Sequence, residues 1–167
     1  QLDDLSGMVS QHDNEQYVLP LALRLLRDPV HAVRAKTVSG LGAVLRNTAG
    51  VEATSTWRTG VVGETVSNLK LMATNHESWM DRQAYVQMCG VFASVVDPRV
   101  VIEELVPLLL MTADDAVPNV RRELASTIAN MQTNPSYATL PDLRDAVARL
   151  RDDRDVDVAQ TARGCAF

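Results

Sequence analysis

Aromatic residues make up only 4% of this 167-residue chain: two Trp, three Tyr and two Phe. A core cannot be built around large rings on that supply. Ala and small aliphatics must fill it, which suits closely stacked helices better than a β-sandwich. Cysteine is as scarce, since Cys89 and Cys165 are too few and too isolated for a disulfide framework or a metal ligand set. The reducing cytosol or nucleus is therefore the expected compartment. No run of about 18 apolar residues exists to cross a membrane, and Gln1-Leu-Asp-Asp lacks the basic start and apolar stretch of a signal peptide. Positive charge is also short, with 16 Lys and Arg against 21 Asp and Glu. A net charge of -5 gives no general attraction to nucleic acid or anionic lipid.

What is present is a repeat. Asp115-Ala-Val-Pro-Asn-Val120-Arg121 has a close copy in Asp28-Pro-Val-His-Ala-Val33-Arg34, a looser one at Asp153 to Ala159, and a degenerate one at His76 to Arg82. Each copy sets a turn residue five positions before an anchor, which is Val33, Asp81, Val120 or Val158. Successive anchors lie 48, 39 and 38 residues apart. That is the period of a two-helix solenoid unit.

The apolar stripes place one helix before each turn and one after it. The expected architecture is all-α, a single solenoid over residues 1–167 with repeats at about 17–46, 57–96, 98–133 and 140–166, and residues 1–16 as the tail of a preceding repeat. In the first pair, Val18, Leu21, Ala22, Leu25 and Leu26 should face inward before Asp28-Pro29 breaks the helix. Residues 47–56 form the longest connection and account for the wide first spacing. Pro20 and Pro107 should each remove a backbone bond and bend a first helix. Pro141 stands about a turn away from the equivalent place. Eight residues after each anchor come Leu41, Cys89, Ile128 and Ala166, so Cys89 reads as a buried small side chain.

No catalytic constellation emerges. Gly60-Val-Val-Gly63-Glu-Thr65 lacks the Lys-Ser/Thr of a phosphate loop and reads as helix. His12, His31 and His76 are separate in sequence and imply no metal site. The adjacent carboxylates Asp3-Asp4, Asp114-Asp115 and Asp152-Asp153 point apart on a helix or turn. No metal, no cofactor and no enzymatic activity are expected.

Two features are sharper. Asp28, Asp115 and Asp153 recur on the turns, and Arg34, Arg82 and Arg121 recur just after the anchors. They suggest a ladder in which each Arg reaches a neighbouring repeat's carboxylate or carbonyl, broken by His76 and Ala159. Trp79 lies at a turn, where the other copies are read as placing Val30 and Val117. It either covers its own helix pair or anchors a partner. Trp57 is expected to pack on the long loop.

These residues resemble HEAT repeats. Trp79-x-x-Arg82-Gln-Ala-Tyr85-Val86-x-x-Cys89, Leu105-Val-Pro107-Leu, Val117-Pro-Asn-Val-Arg121 and Asp155-Val-Asp-Val158, in that order, are similar to the C-terminal repeats of protein phosphatase regulatory proteins. The types resembled are the phosphatase 4 regulatory subunit 1 and the phosphatase 2A scaffold subunit. The resemblance implies a non-catalytic scaffold that holds a type 2A or type 4 catalytic subunit through the turns between paired helices, with room for further regulatory subunits. Carried over residue by residue, that surface comprises Pro29, Val30 and His31; Trp79 and Met80; Val117, Pro118 and Asn119; and Arg154, Asp155 and Asp157. Ala159 departs from the basic residue expected after the last anchor. The competing readings are a HEAT array for transport or the cytoskeleton, which would carry a charged stripe along one ridge, and a HEAT-like enzyme acting on DNA. The latter needs a basic groove facing a flipped base.

Overall fold

Five helices of this chain begin where a short polar side chain serves a backbone N–H that the first turn leaves without a partner. Ser10 accepts from the Asp13 N–H at 3.1 Å, Ser78 from Asp81 at 3.2 Å, Asp97 from Arg99 at 2.8 Å and Asn134 from Ser136 at 2.9 Å. Asp155 accepts from both Asp157 and Val158. The computed structural model describes residues 2–48 and 60–167, and every regular element among them is helical. Trp57 and most of the long connection lie outside the described residues.

In order, the elements are α1 Leu2–Met8, α2 Gln11–Asp13, a π turn Asn14–Val18, α3 Leu19–Leu25, α4 His31–Arg46, α5 Val61–Ala73 and α6 Trp79–Val95. There follow α7 Pro98–Glu104, α8 Val106–Met111, a 3-10 turn Thr112–Asp114, α9 Pro118–Met131, α10 Pro135–Ala138, α11 Pro141–Arg151 and α12 Val156–Arg163. Helices on either side of a turn pack together in three cases, α3 on α4, α5 on α6 and α11 on α12, and in the remaining one the 3-10 turn that continues α8 packs on α9. The second helices α4, α6, α9 and α12 also lie side by side, with α1 against the free flank of α4, while the first helices touch one another far less. An all-helical chain stacked in this way is consistent with an α-solenoid.

Close approach within the second-helix layer follows from small residues. A Cβ on Gly90 would stand 3.4 Å from the Thr127 methyl, and one on Gly42 3.7 Å from Val91. Leu41, Leu45, Tyr85, Cys89, Phe92, Leu124, Ile128, Val147 and Val158 are fully buried across this stack. No single pair could bury such stripes on both sides alone. Position 166 departs from the eight-after-anchor rule. The last helix ends at Arg163, Ala166 is exposed, and Cys165 is buried instead, with Arg151 donating to the Cys165 and Phe167 carbonyls at 2.9 and 2.8 Å.

Three further differences have local causes. The first helix starts at Gln11, not Tyr17, because Ser10 caps it and the buried Asn14 donates Nδ2 to the Val44 carbonyl at 2.8 Å. A polar residue in the core gives no apolar signal. Pro20 lacks the N–H that a regular turn would use, and the wide π turn just before it, with Leu19 N–H reaching Asn14 O, moves the buried face to Val18, Leu19, Ala22 and Leu26. Leu21 is turned outward. Near Pro107 the helix divides at Leu105, whose carbonyl accepts the Tyr85 hydroxyl at 2.6 Å. Finally, α10 inserts the buried Tyr137 between third and fourth pairs and takes up the residues that displace Pro141.

Candidate partner-binding ridge

Each turn between paired helices is closed by its own side chain. Asp28 accepts from the Val30 N–H at 2.8 Å, Asp115 from Val117 at 2.9 Å and Asp153 from Asp155 at 2.8 Å. In the second turn the equivalent residue is Asn75, accepting from Glu77 at 3.1 Å, and not His76. That turn holds one residue more, so spacing counted back from the anchor lands one place late. Trp79 stands two residues before its anchor, while Val30 and Val117 stand three before theirs, so its placement is corrected as well. It is the first helical residue after the Ser78 cap and corresponds to His31, Pro118 and Val156, whereas Val30 and Val117 are themselves caps.

The arginine ladder is present. Arg82 donates Nε and Nη2 to the Asp115 carboxylate at 2.6 and 3.0 Å, and Nη1 to the Asn75 and His76 carbonyls of its own turn. Arg121 repeats the arrangement, with Nε and Nη2 on Asp153 at 2.7 and 2.8 Å and Nη1 on the Asp115 carbonyl. These two-pronged pairs are almost closed to water, with side-chain exposures of 13% and 5% for Arg82 and Asp115 and 5% and 9% for Arg121 and Asp153. The hydrogen bonds from Arg121 hold Asp153 below its ordinary carboxylate value, against the opposing effect of burial. At Asp115 burial pushes the carboxyl upward, but the Arg82 hydrogen bond, the Val117 N–H and the charges of Arg82 and Arg121 together bring it lower. Across the first junction the connection differs: Arg27 meets Asp81 at 3.3 Å, and Asp81 also accepts from Asn75 at 3.0 Å.

Stitched in this way, the turns stand in one row. Pro29, Val30, His31, Met80, Asn119, Arg154 and Asp157 are exposed there, while Trp79, Val117, Pro118 and Asp155 are half-buried. Trp79 packs against the core with one side only. Val30 is 56% and Met80 37% exposed, and Val156, which sequence reading left out, is 75% exposed in the same row. Its signal was available, because Val156 takes the first helical position that Trp79 occupies. Met111, 68% exposed, lies behind the row in a groove of about 380 Å³ with Leu108, His76 and Asp114. Charge along the turns is interleaved. Asp28, Asp115 and Asp153 close their own turns, Asp155 caps α12, Asp114 faces Arg149 at 3.3 Å, and Arg27 and Arg154 are exposed on the first and last turns.

Cys89 is buried and its thiol is pushed up to about 12 by burial, with the Tyr85 hydroxyl opposing, so it is not a nucleophile in the folded chain. Among the described residues no group of three or more His, Cys, Asp or Glu side chains is placed to hold a metal ion.

Nearly the whole chain matches part of a known protein. It is 31% identical, over 175 aligned positions that take in 95% of this chain, to the human serine/threonine-protein phosphatase 4 regulatory subunit 1, and equally to the rat and mouse proteins of that name. This likeness supports the phosphatase regulatory subunit family. The chain spans 17% of the length of these relatives. No protein-family model matches it. These relatives are named as regulatory subunits.

Proposed function

We propose that the chain is a run of HEAT repeats, at about residues 17–46, 57–96, 98–133 and 140–166, whose turn ridge binds the catalytic subunit of a type 4 or type 2A serine/threonine phosphatase in the cytosol or nucleus. Further regulatory subunits would occupy other surfaces. The observation that carries this reading is the row of outward aliphatic side chains, Val30, Met80 and Val156, beside the half-buried Trp79. Buried ion pairs link the turns beneath it, so the row is presented with little freedom to lose on binding. The relatives' regulatory-subunit name supplies the kind of partner.

Trp79→Ala tests the proposal. An aromatic anchor at the centre of an interface costs about 2 kcal/mol or more when truncated, roughly a thirtyfold loss of affinity. Binding of purified type 4 and type 2A catalytic subunits should fall by that order while helix content is retained. A lower melting temperature with unchanged affinity would show the indole to be only a packing residue.

A further inference from the structure

Arg34, Arg82 and Arg121 occupy one structural position, directly after the anchors. All three turn Nη1 back onto their own turn, Arg34 donating to the Asp28 and Pro29 carbonyls at 2.8 and 3.1 Å. The opposite edge, Nε with Nη2, is what Arg82 and Arg121 extend to the next turn's carboxylate. Arg34 has no such carboxylate to reach. The residue standing where Asp115 and Asp153 stand is Asn75, a neutral amide without the second carboxylate oxygen; its Oδ1 accepts the Glu77 N–H, its Nδ2 donates to Asp81, and the hydrogen bonds of Arg34 go to Asp28 and Pro29 instead. Asp81 in turn is engaged by Arg27.

Among the described residues, then, the Nε and Nη2 edge of Arg34 meets no acceptor, although the residue is only 8% exposed. A guanidinium this deep with two parallel donors unused is matched by one planar acceptor, a carboxylate taken edge-on. The edge is not sealed. Among the described residues the buried polar side-chain atoms without partners are Asn14 Oδ1 and the Tyr137 hydroxyl, so the Arg34 nitrogens keep a path to solvent. Val30 and His31 are exposed on the same turn, and Trp79 begins the neighbouring helix.

We propose that this gap in the ladder is a receptor for an Asp or Glu side chain of the protein docked on the ridge. The partner completes in trans the pair that Asp115 and Asp153 complete in cis. A carboxylate is favoured over a phosphate because both sister forks are filled by a single carboxylate at 2.6 to 3.0 Å. The proposal rests on the reading of the ridge as a phosphatase-docking surface, and sharpens it by naming the chemistry at one point.

Two variants test it against purified type 4 and type 2A catalytic subunits, with Trp79→Ala alongside. Arg34→Gln removes the fork and should weaken binding about tenfold or more, the size of one charge-assisted hydrogen bond or two. The combined change Asn75→Asp and Asp81→Val rebuilds the sister turn, Val standing at the anchor so that two carboxylates do not meet. It should fill the fork from within, leave the melting temperature equal or higher, and weaken binding to the same extent. If both leave affinity unchanged while Trp79→Ala lowers it, the carboxylate receptor is overturned and the docking ridge stands. If the parent chain binds neither catalytic subunit, both ideas fall together.

Discussion

The first junction between neighbouring turns and the two that follow it make the same connection by different means. Arg82–Asp115 and Arg121–Asp153 are two-pronged and nearly dry, with each carboxylate also closing its own turn. At the first junction Asn75 closes the turn, Asp81 replaces the aliphatic anchor, and Arg27, half exposed, reaches in from the preceding turn. One pattern builds rigidity from identical parts. The other exchanges a buried pair for an exposed one and leaves a donor edge unused, which is how a regular array can acquire a distinct spot for recognition. The predictions below test whether the two junctions differ in energy as they do in geometry.

The largest effect is expected in the regular half. Val120 is fully buried at the start of α9, between the α6 and α12 layers. Val120→Asp places a carboxylate there with no partner, at a cost of several kcal/mol. Loss of helix signal and of a cooperative melt at ambient temperature is the expected outcome, and a parent-like melt would refute the anchor assignment.

Next comes a contrast between sister residues. Arg121→Gln strands the Asp153 carboxylate, which is 9% exposed, and should destabilise by about 3 kcal/mol or more, as breaking one half of a buried pair does. Arg34→Gln strands no acid and should cost only about 1 kcal/mol, the value of its hydrogen bonds to two carbonyls. Equal losses in denaturant titration would mean that the unused fork is engaged after all.

These contrasts also show what the sequence made legible. The fold class, the helix pairs and the ladder were readable because they depend on residue type at fixed spacing: Val at 33, 120 and 158, and Arg one place later at 34 and 121. The second turn was misread by one residue because Asn75 does the work of an Asp, while the anchor itself had become Asp81. Asn14 was unreadable for a related reason. Its burial depends on the Val44 carbonyl 30 residues away, not on its own polarity. On the ridge, the exposure of Val156 followed from its register, but that register was secure only once the helix start at position 156 was known.

Acid should separate the junctions as well. Asp115 and Asp153 titrate below their ordinary range, so their pairs contribute full stability above about pH 4, where an unfolded carboxylate is ionised, and lose it as pH falls through the lower folded values. Between about pH 4 and 2 the melting temperature of the parent should therefore drop more steeply than that of Asp153→Asn, which keeps only the Arg82–Asp115 pair to lose. Parallel curves would show that the Arg121–Asp153 pair contributes nothing measurable.

The smallest effect is assigned to the link that holds the irregular junction. Arg27 is 51% exposed on its side chain, so its attraction to Asp81 acts through water and a long side chain must be ordered to make it. Arg27→Ala should then cost no more than about 1 kcal/mol, and raising the salt concentration should shrink the difference further. Asp81 loses its cation in that variant but keeps the Asn75 Nδ2 donor at 3.0 Å and its place in the first turn of α6, where the aligned backbone dipoles favour an anion. Arg121→Gln leaves Asp153 with a single backbone N–H and no cation from the preceding repeat. The ratio of the two losses measures how much of the ridge's rigidity has been given up at the first junction. A loss from Arg27→Ala that matched the Arg121→Gln value and resisted salt would overturn the comparison, because the half-exposed link would then hold its junction as firmly as the nearly dry pairs hold theirs.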